Sequence, residues 1–410
     1  MNCRYCKNKL QHDLIDLNFA PPSNAYIPKD KLSMEETYYP LRVKVCDQCF
    51  LVQTEDYVKS DTSGLFDEDY AYFSSTSKSF LDHAKKFCNY VEERFELDKN
   101  SFVIEVASND GYLLKNFLQK EIPCLGIEPT LSTANASRKI GLDVMNEFFG
   151  EELALKLKKE EKECDLIIGN NVYAHVPDIL DFTNGLKTIL KEEGVVSLEF
   201  PHLLELIKHC QFDTIYHEHF SYLSLNVVEK IFKSAGLRIF DVEKIKTHGG
   251  SLRVFGCKED SKHKTSEKVI KVINEEKELG LNKLKSFEDF SRKAEIAKYD
   301  ALQFLIECKK NNKQVFGYGA AAKGNTFLNY AGIKSDLVKV VFDAAESKQD
   351  KYLPGSHIPI KSPNDIENYD IDFMIVFPWN IISEISKLLE DKISSKTKLV
   401  TFIPKLTIHK

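Results

Sequence analysis

Four cysteines of this 410-residue chain stand in two pairs, Cys3-Arg-Tyr-Cys6 and Cys46-Asp-Gln-Cys49, and their spacing points to metal binding. Each pair of soft thiolates clamps one edge of a tetrahedral Zn²⁺, whose charge keeps the sulfurs deprotonated. With Cys3, Cys6, Cys46 and Cys49 filling all four positions, none is left for a substrate, so the expected ion is structural. The other cysteines, from Cys88 to Cys308, fall singly in apolar or mixed segments and read as reduced thiols. A second cluster is Tyr216-His-Glu-His-Phe-Ser-Tyr222. Its histidines, His217 and His219, stand at i and i+2 and fit a helical metal face poorly. An acid/base cluster is the better reading: a histidine titrates near neutrality, a neighbouring carboxylate orients its ring, and a tyrosine hydroxyl hydrogen-bonds a developing enolate oxygen.

Three further segments carry binding chemistry. Glu105-Val-Ala-Ser-Asn-Asp-Gly111 closes an expected strand and opens a helix, the place where an open α/β sheet receives its ligand. A nicotinamide fingerprint needs three glycines there, and only Gly111 is present. Glu128, in Gly126-Ile-Glu-Pro129, ends the next strand and is placed to accept the hydroxyls of a ribose. Acids at both strand ends suit an adenosine with a cationic tail better than one with a pyrophosphate. Gly169-Asn-Asn-Val-Tyr-Ala-His175 follows the fourth strand, where such a sheet meets cofactor and substrate together. Gly317-Tyr-Gly-Ala-Ala-Ala-Lys-Gly-Asn-Thr326 joins a strand to a helix and reads, through its glycines, helix N-terminus and Lys323, as a seat for a diphosphate.

The elements that must position these residues follow from periodicity. A helix is predicted over 78–96, with Phe80, Ala84, Phe87, Val91 and Phe95 at helical spacing. Strands are predicted at 102–107, 124–128, 142–145, 165–168 and 195–200, alternating with helices at 113–120, 132–140, 151–159 and 179–191. Such alternation implies a parallel sheet covered on both faces. A helix at 227–235 and two strands at 237–242 and 251–256 complete the order of a seven-stranded methyltransferase sheet. Residues 258–312 read as a charged helical connection, and a second α/β unit begins at Gln314.

Composition narrows the functional class. A net charge of −6 argues against a chain that coats a polyanion, so nucleic acid is not an expected partner. No apolar run approaches the ~20 residues of a membrane helix, and the first residues lack a signal-peptide pattern, so a cytoplasmic enzyme without membrane contact is expected.

Taken together, the motifs resemble those of the sugar C-methyltransferases that act on keto-deoxy sugar nucleotides. The likeness covers nearly the whole chain: the paired CxxC motifs, Tyr-Phe-Ser-Ser at 72–75, the 105–111 and 171–175 segments, 216–222, His-Gly-Gly-Ser-Leu-Arg at 248–253, and 317–326. It implies S-adenosylmethionine as cofactor and an α/β architecture of a zinc-binding domain (1–60), a Rossmann-like methyltransferase core (61–258), a helical connection (259–312) and a second Rossmann-like domain (313–410). It implies catalytic roles for Tyr216, Glu218 and His219, with His175 beside them: His219 as the base, Tyr216 and His175 polarising the ketone, and Glu218 orienting the imidazole. Cofactor contacts are expected from Glu105, Ala107, Ser108, Asn109, Gly111, Glu128, Asn146 and Asn170, and sugar-nucleotide contacts from Tyr72, Asn171, Tyr222, His248, Gly319, Lys323 and Asn325. The family often has Ser-Ser-Tyr-Ser where this chain has Ser74-Ser-Thr-Ser77, so any tyrosine role there passes to Tyr70 or Tyr72 or is absent. Three other readings remain open at this point: a sugar O-methyltransferase, a nicotinamide enzyme using Gly317–Gly319 with Asp343 as its ribose acid, and a zinc-ribbon nucleic-acid module. A monomer is expected, since three domains suffice to enclose the site.

Overall fold

The computed structural model describes residues 1–56, 73–76 and 78–409. Runs of β-branched and apolar residues build its central sheet. Val103–Val106 is buried at every position, as a strand covered on both faces requires. It lies between Cys164–Asn170 and Cys124–Ile127, and the full order is Leu237–Ile245, Ser251–Lys258, Leu190–Pro201, Cys164–Asn170, Val103–Val106, Cys124–Ile127, Val144–Met145. Six strands run in one direction, and Ser251–Lys258 is antiparallel to both neighbours. This is the seven-stranded order expected from the sequence. Helices Lys78–Arg94, Leu131–Lys139, Glu151–Lys159, Ile179–Ile189 and Leu225–Ser234 accompany it. Asp178 caps the fourth of these by accepting from the amides of Leu180 and Asp181, and Ser224 caps the last through the amide of Val227.

The helix predicted over 113–120 is regular only over Lys115–Leu118. Around it the backbone makes i→i+3 bonds, Asn116 N to Leu113 O and Phe117 N to Leu114 O, and the Asn116 side chain also donates to Leu113 O at 2.8 Å. A side-chain donor competing for a helix carbonyl tightens the turn locally.

A second sheet of six strands holds the C-terminal unit, in the order Ile360–Lys361, Val341–Phe342, Val315–Tyr318, Phe373–Val376, Lys398–Thr401, Thr407–His409, parallel except at the last pair. Helices Glu267–Leu279 and Phe290–Lys310 occupy the charged connection. The N-terminal region does not close on itself. Its strands His12–Ala20, Tyr39–Val45 and Val52–Thr54 accept a fourth, Ser221–Tyr222, from the middle of the chain. Ile27–Pro28 also pairs with Lys351–Tyr352 of the C-terminal unit. No helix among the described residues is long and apolar enough to cross a membrane.

Candidate active site

The carboxyl end of Val103–Val106 carries a strained loop in which Ala107 and Asn109 both take positive φ, at 56° and 51°. Glu128 organises it from the neighbouring strand: one carboxylate oxygen accepts from Asn109 N at 2.8 Å and the other from Thr130 N at 2.9 Å. The side chains of Thr133 and Thr130 bond the same carboxylate, so its place at the strand end is fixed from several sides. Asn146 donates to the carbonyls of Glu128 and Pro129 and pins the same strand end. Glu105 is 1 % exposed, and burial together with Glu128 and Asp110 pushes its carboxyl well above the usual range. Gly111 serves packing: at φ 78°, a Cβ there would lie 2.4 Å from Leu142 Cδ1 and 2.6 Å from Ser137 Oγ. Asn109 Oδ1 and Asp110 Oδ2 accept from the amides of Ser74 and Ser75, so the 74–76 turn sits on this loop.

The 216–222 segment is held by the N-terminal sheet, where Ser221 pairs with Gln53 and Tyr222 with Val52. His219 N closes a turn onto Tyr216 O, which places the Tyr216 ring 4.0 Å from the imidazole, centroid to centroid. The His175 ring stands 4.6 Å away and Tyr222 5.9 Å. His219 Nδ1 is 3.0 Å from the Thr214 carbonyl, so Nδ1 carries the proton and Nε2 the lone pair. Burial, with His175 alongside, holds the His219 imidazole well below its ordinary range, and burial likewise brings His175 to about 4. Glu218 does not orient this ring, contrary to expectation. Adjacent residues of a turn point different ways, and the Glu218 carboxylate instead receives Asn24 Nδ2 at 2.9 and 3.1 Å. Burial raises Glu218 to about 7, with the Asn24 bond opposing.

The C-terminal unit closes the third side. Gly319, at φ 88°, abuts Pro378, and the helix Ala322–Ala331 follows. Lys323 bonds Asn380 Oδ1 at 2.8 Å and lies over the Trp379 ring; burial lowers its pKa while nearby Asp213 raises it. Asp213 accepts from the Trp379 indole at 2.7 Å and is raised to about 6 by burial. His248, at φ 55°, belongs to the turn before Gly249, whose missing Cβ makes room for Trp379. Asn325 departs from expectation: its amide donates to Ser23 O at 2.6 Å, which ties the helix to the N-terminal region, although Oδ1 has no partner. Asp343 accepts from the amides of Ala320 and Ala345, so its carboxylate braces the Gly-rich turn. Tyr70 and Tyr72 lie outside the described residues. Asn24, Asp213 and Thr214 were missed from the sequence; the single tryptophan beside Lys323's partner Asn380 was the available signal for Asp213.

Comparison with known proteins gives the family. Residues 3–63 match the family described as "Putative zinc binding domain", 80–242 the methyltransferase domain, and 246–404 the C-methyltransferase C-terminal domain. The C-methyltransferase NovU of Streptomyces niveus is 30% identical over 402 residues, covering 98% of this chain and 95% of its own. The chain belongs to the SAM-dependent C-methyltransferases with an N-terminal zinc domain. Among solved structures, magnesium protoporphyrin IX methyltransferase of Synechocystis PCC 6803 with bound SAM is similar at 12% identity, over 43% of this chain and 79% of that one, with a TM-score of 0.34. A S-adenosylmethionine-dependent methyltransferase of Clostridium acetobutylicum is 13% identical over 43% and 91%, with a TM-score of 0.36.

The residues of this C-methyltransferase fit both groups the family uses. Glu105 Oε2, Ser108 Oγ and Asn170 Oδ1 are buried polar atoms without a protein partner, beside the strained loop, as a polar cofactor requires. The four cysteine sulfurs lie within 4.8 Å of one another, with Cys3–Cys49 at 3.6 Å and Cys6–Cys46 at 3.4 Å. A tetrahedral zinc with Zn–S near 2.3 Å sets sulfurs about 3.8 Å apart. Gln53 Nε2 and Leu51 N also donate to Cys3 and Cys49 sulfurs, the bonding that thiolates attract.

Proposed function

We propose that this enzyme methylates a ring carbon next to the ketone of a nucleotide-linked keto-deoxy sugar, and that His219 removes the proton from that carbon. The observation that carries the reading is the Nδ1 bond of His219 to the Thr214 carbonyl, which presents Nε2 as a neutral acceptor among Tyr216, His175 and Tyr222. A carbon beside a ketone is weakly acidic, and its enolate is nucleophilic at carbon. When bound, S-adenosylmethionine supplies an electrophilic methyl on a sulfonium. Glu105, Ser108, Asn109, Glu128 and Asn170 hold it at the strand ends, Glu128 at the ribose and Glu105 toward the cationic tail. A buried imidazole is a weak base, so the enolate oxygen must be stabilised. Tyr216 donates to it, and a hydrogen bond to an oxyanion is worth most where water is excluded. Neutral His175, held near 4 by burial, directs its one ring N–H at the Glu218 backbone carbonyl and so braces the turn that carries His219 instead of polarising the ketone. Holding the enolate carbon in line with the methyl turns two diffusing reactants into one oriented pair. Lys323 and the amides opening its helix seat the diphosphate, with Asn171, Tyr222 and His248 around the sugar.

The test is incubation with methyl-¹³C S-adenosylmethionine and a panel of keto-deoxy sugar nucleotides, read by mass and carbon-coupled NMR. A labelled methyl on a ring carbon beside the ketone is expected. A methyl on oxygen would overturn the enolate mechanism.

A further inference from the structure

The zinc cysteines and the His219 segment are distant in sequence but contiguous in bonding. Cys46 and Cys49 lead directly into the strand Val52–Thr54, and that strand pairs with Ser221–Tyr222. Gln53, fully buried, bridges the two halves of the cluster: Nε2 donates to Cys3 Sγ at 3.3 Å, and Oε1 accepts from Arg4 N at 2.9 Å. Arg4, between two zinc ligands, reaches Thr54 O at 3.3 Å and Phe220 O at 3.5 Å and lies over the Phe220 ring. Thr54, 2 % exposed, holds the segment at two successive carbonyls: its Oγ1 donates to His219 O at 3.1 Å and its N to Phe220 O at 3.1 Å.

We infer that Thr54 is a positioning residue for methyl transfer, fixing the backbone of His219 while the Thr214 carbonyl fixes its ring. The inference rests on the reading of His219 as the base. The two bonds act on opposite ends of one residue. Ring orientation follows from Nδ1, but where the ring sits follows from the carbonyl, since a displacement of the backbone carries Cβ and imidazole with it. Proton removal needs Nε2 within roughly 3 Å of the substrate hydrogen's carbon side, so a shift of about 1 Å is felt in turnover more than in binding. The cofactor loop is held by Glu128 and takes no part in this link. Zinc, through Cys3, Gln53 and Arg4, gives Thr54 a rigid support.

The test is Thr54→Val in the zinc-loaded full chain, with Thr54→Ser as the rescue. Valine keeps the branched shape and the strand pairing and removes one hydroxyl. Losing one hydrogen bond of ordinary net strength predicts a kcat about five- to tenfold lower, with KM and S-adenosylmethionine affinity within twofold. Thr54→Ser returns kcat to within twofold of wild type. In ¹⁵N-histidine protein, solvent exchange of the His219 Nδ1–H accelerates at least tenfold in Thr54→Val and not in Thr54→Ser. Rates are taken per zinc-bearing chain, and Thr54→Ala, which removes the same donor with less bulk, gives the same loss. A purely architectural Thr54 would lower thermal stability yet leave kcat and the exchange rate unchanged, and that result overturns the inference. His219→Asn, measured alongside, separates the two failures. If it abolishes turnover while Thr54→Val is silent, only the positioning role falls; if it retains turnover, the base assignment falls and this inference with it.

Discussion

Replacing His219 by asparagine isolates one nitrogen. The asparagine amide still offers an N–H toward the Thr214 carbonyl that His219 Nδ1 bonds at 3.0 Å, so what disappears is the lone pair on Nε2. General-base catalysis contributes about 10²- to 10⁴-fold, which at 1.36 kcal/mol per decade is roughly 2.7 to 5.4 kcal/mol of barrier. Cofactor binding should hardly change, because Glu128 organises the Asn109 loop through bonds that do not involve residues 214–222. Two assays separate deprotonation from transfer. Single-turnover formation of ¹³C-methylated product should slow by at least about 10²-fold in His219→Asn. With S-adenosylhomocysteine in place of the methyl donor, the wild type in D₂O should wash deuterium into the carbon beside the ketone, and the variant should not. Because burial holds the His219 pKa well below its ordinary 6.5, the base stays neutral through the usual imidazole range, so loss of activity from its protonation should begin below pH 6.5. Exchange and transfer within fivefold of wild type would refute the role of His219. Exchange lost but transfer retained would instead place methylation on another atom.

Glu128→Gln replaces an acceptor of two backbone N–H groups with an amide that must turn a donor toward one of them; isothermal titration should show S-adenosylmethionine affinity at least about tenfold weaker, since hydrogen bonds to a charged group are worth about 1.5–3 kcal/mol each. Cys46→Ser should lower bound zinc below one per chain and lower Tm by about 5 °C or more, because metal binding there is folding free energy; unchanged Tm with lost zinc would contradict that coupling. His217, 1 % exposed, is brought by burial to about 4, so between its unfolded value near 6.5 and about 4 the unfolded chain binds a proton that the native state refuses. Its contribution is therefore intact above pH 6.5 and is lost as pH falls toward 4, up to ~3 kcal/mol; urea midpoints at pH 7.5, 6.0 and 5.0 should decline in step, and a flat series would count against it.

How much of this was legible in the sequence depends on the kind of signal. Val103–Val106, Cys124–Ile127 and residues 195–200 announce themselves as mostly apolar runs because a strand covered on both faces has no polar side to alternate with, whereas the charged start of Leu190–Pro201 was read as the end of a helix. The metal cluster was legible because two CxxC pairs state a geometry in their spacing. The position of Glu105 and Glu128 at strand ends followed from topology alone. The helix after Val106 was read too long, since a side chain turning back on its own backbone leaves the hydrophobic period unaltered.

The sequence by itself thus determined the fold class, the order of the central sheet's strands along the chain and the four cysteines of the metal cluster. Only the tertiary structure decided which partner each polar group takes. Glu218 stands beside His219 in the chain and yet bonds Asn24, and the imidazole is oriented by a carbonyl, Thr214 O, that no side chain advertises. Asn325 turned to Ser23 O, while Asp213 found the Trp379 indole across the unit boundary. The physical reason is common to all four: hydrophobic burial is non-directional and survives in a one-dimensional pattern, whereas a hydrogen bond needs a distance near 3 Å and an angle, which exist once separate parts of the chain have been brought together.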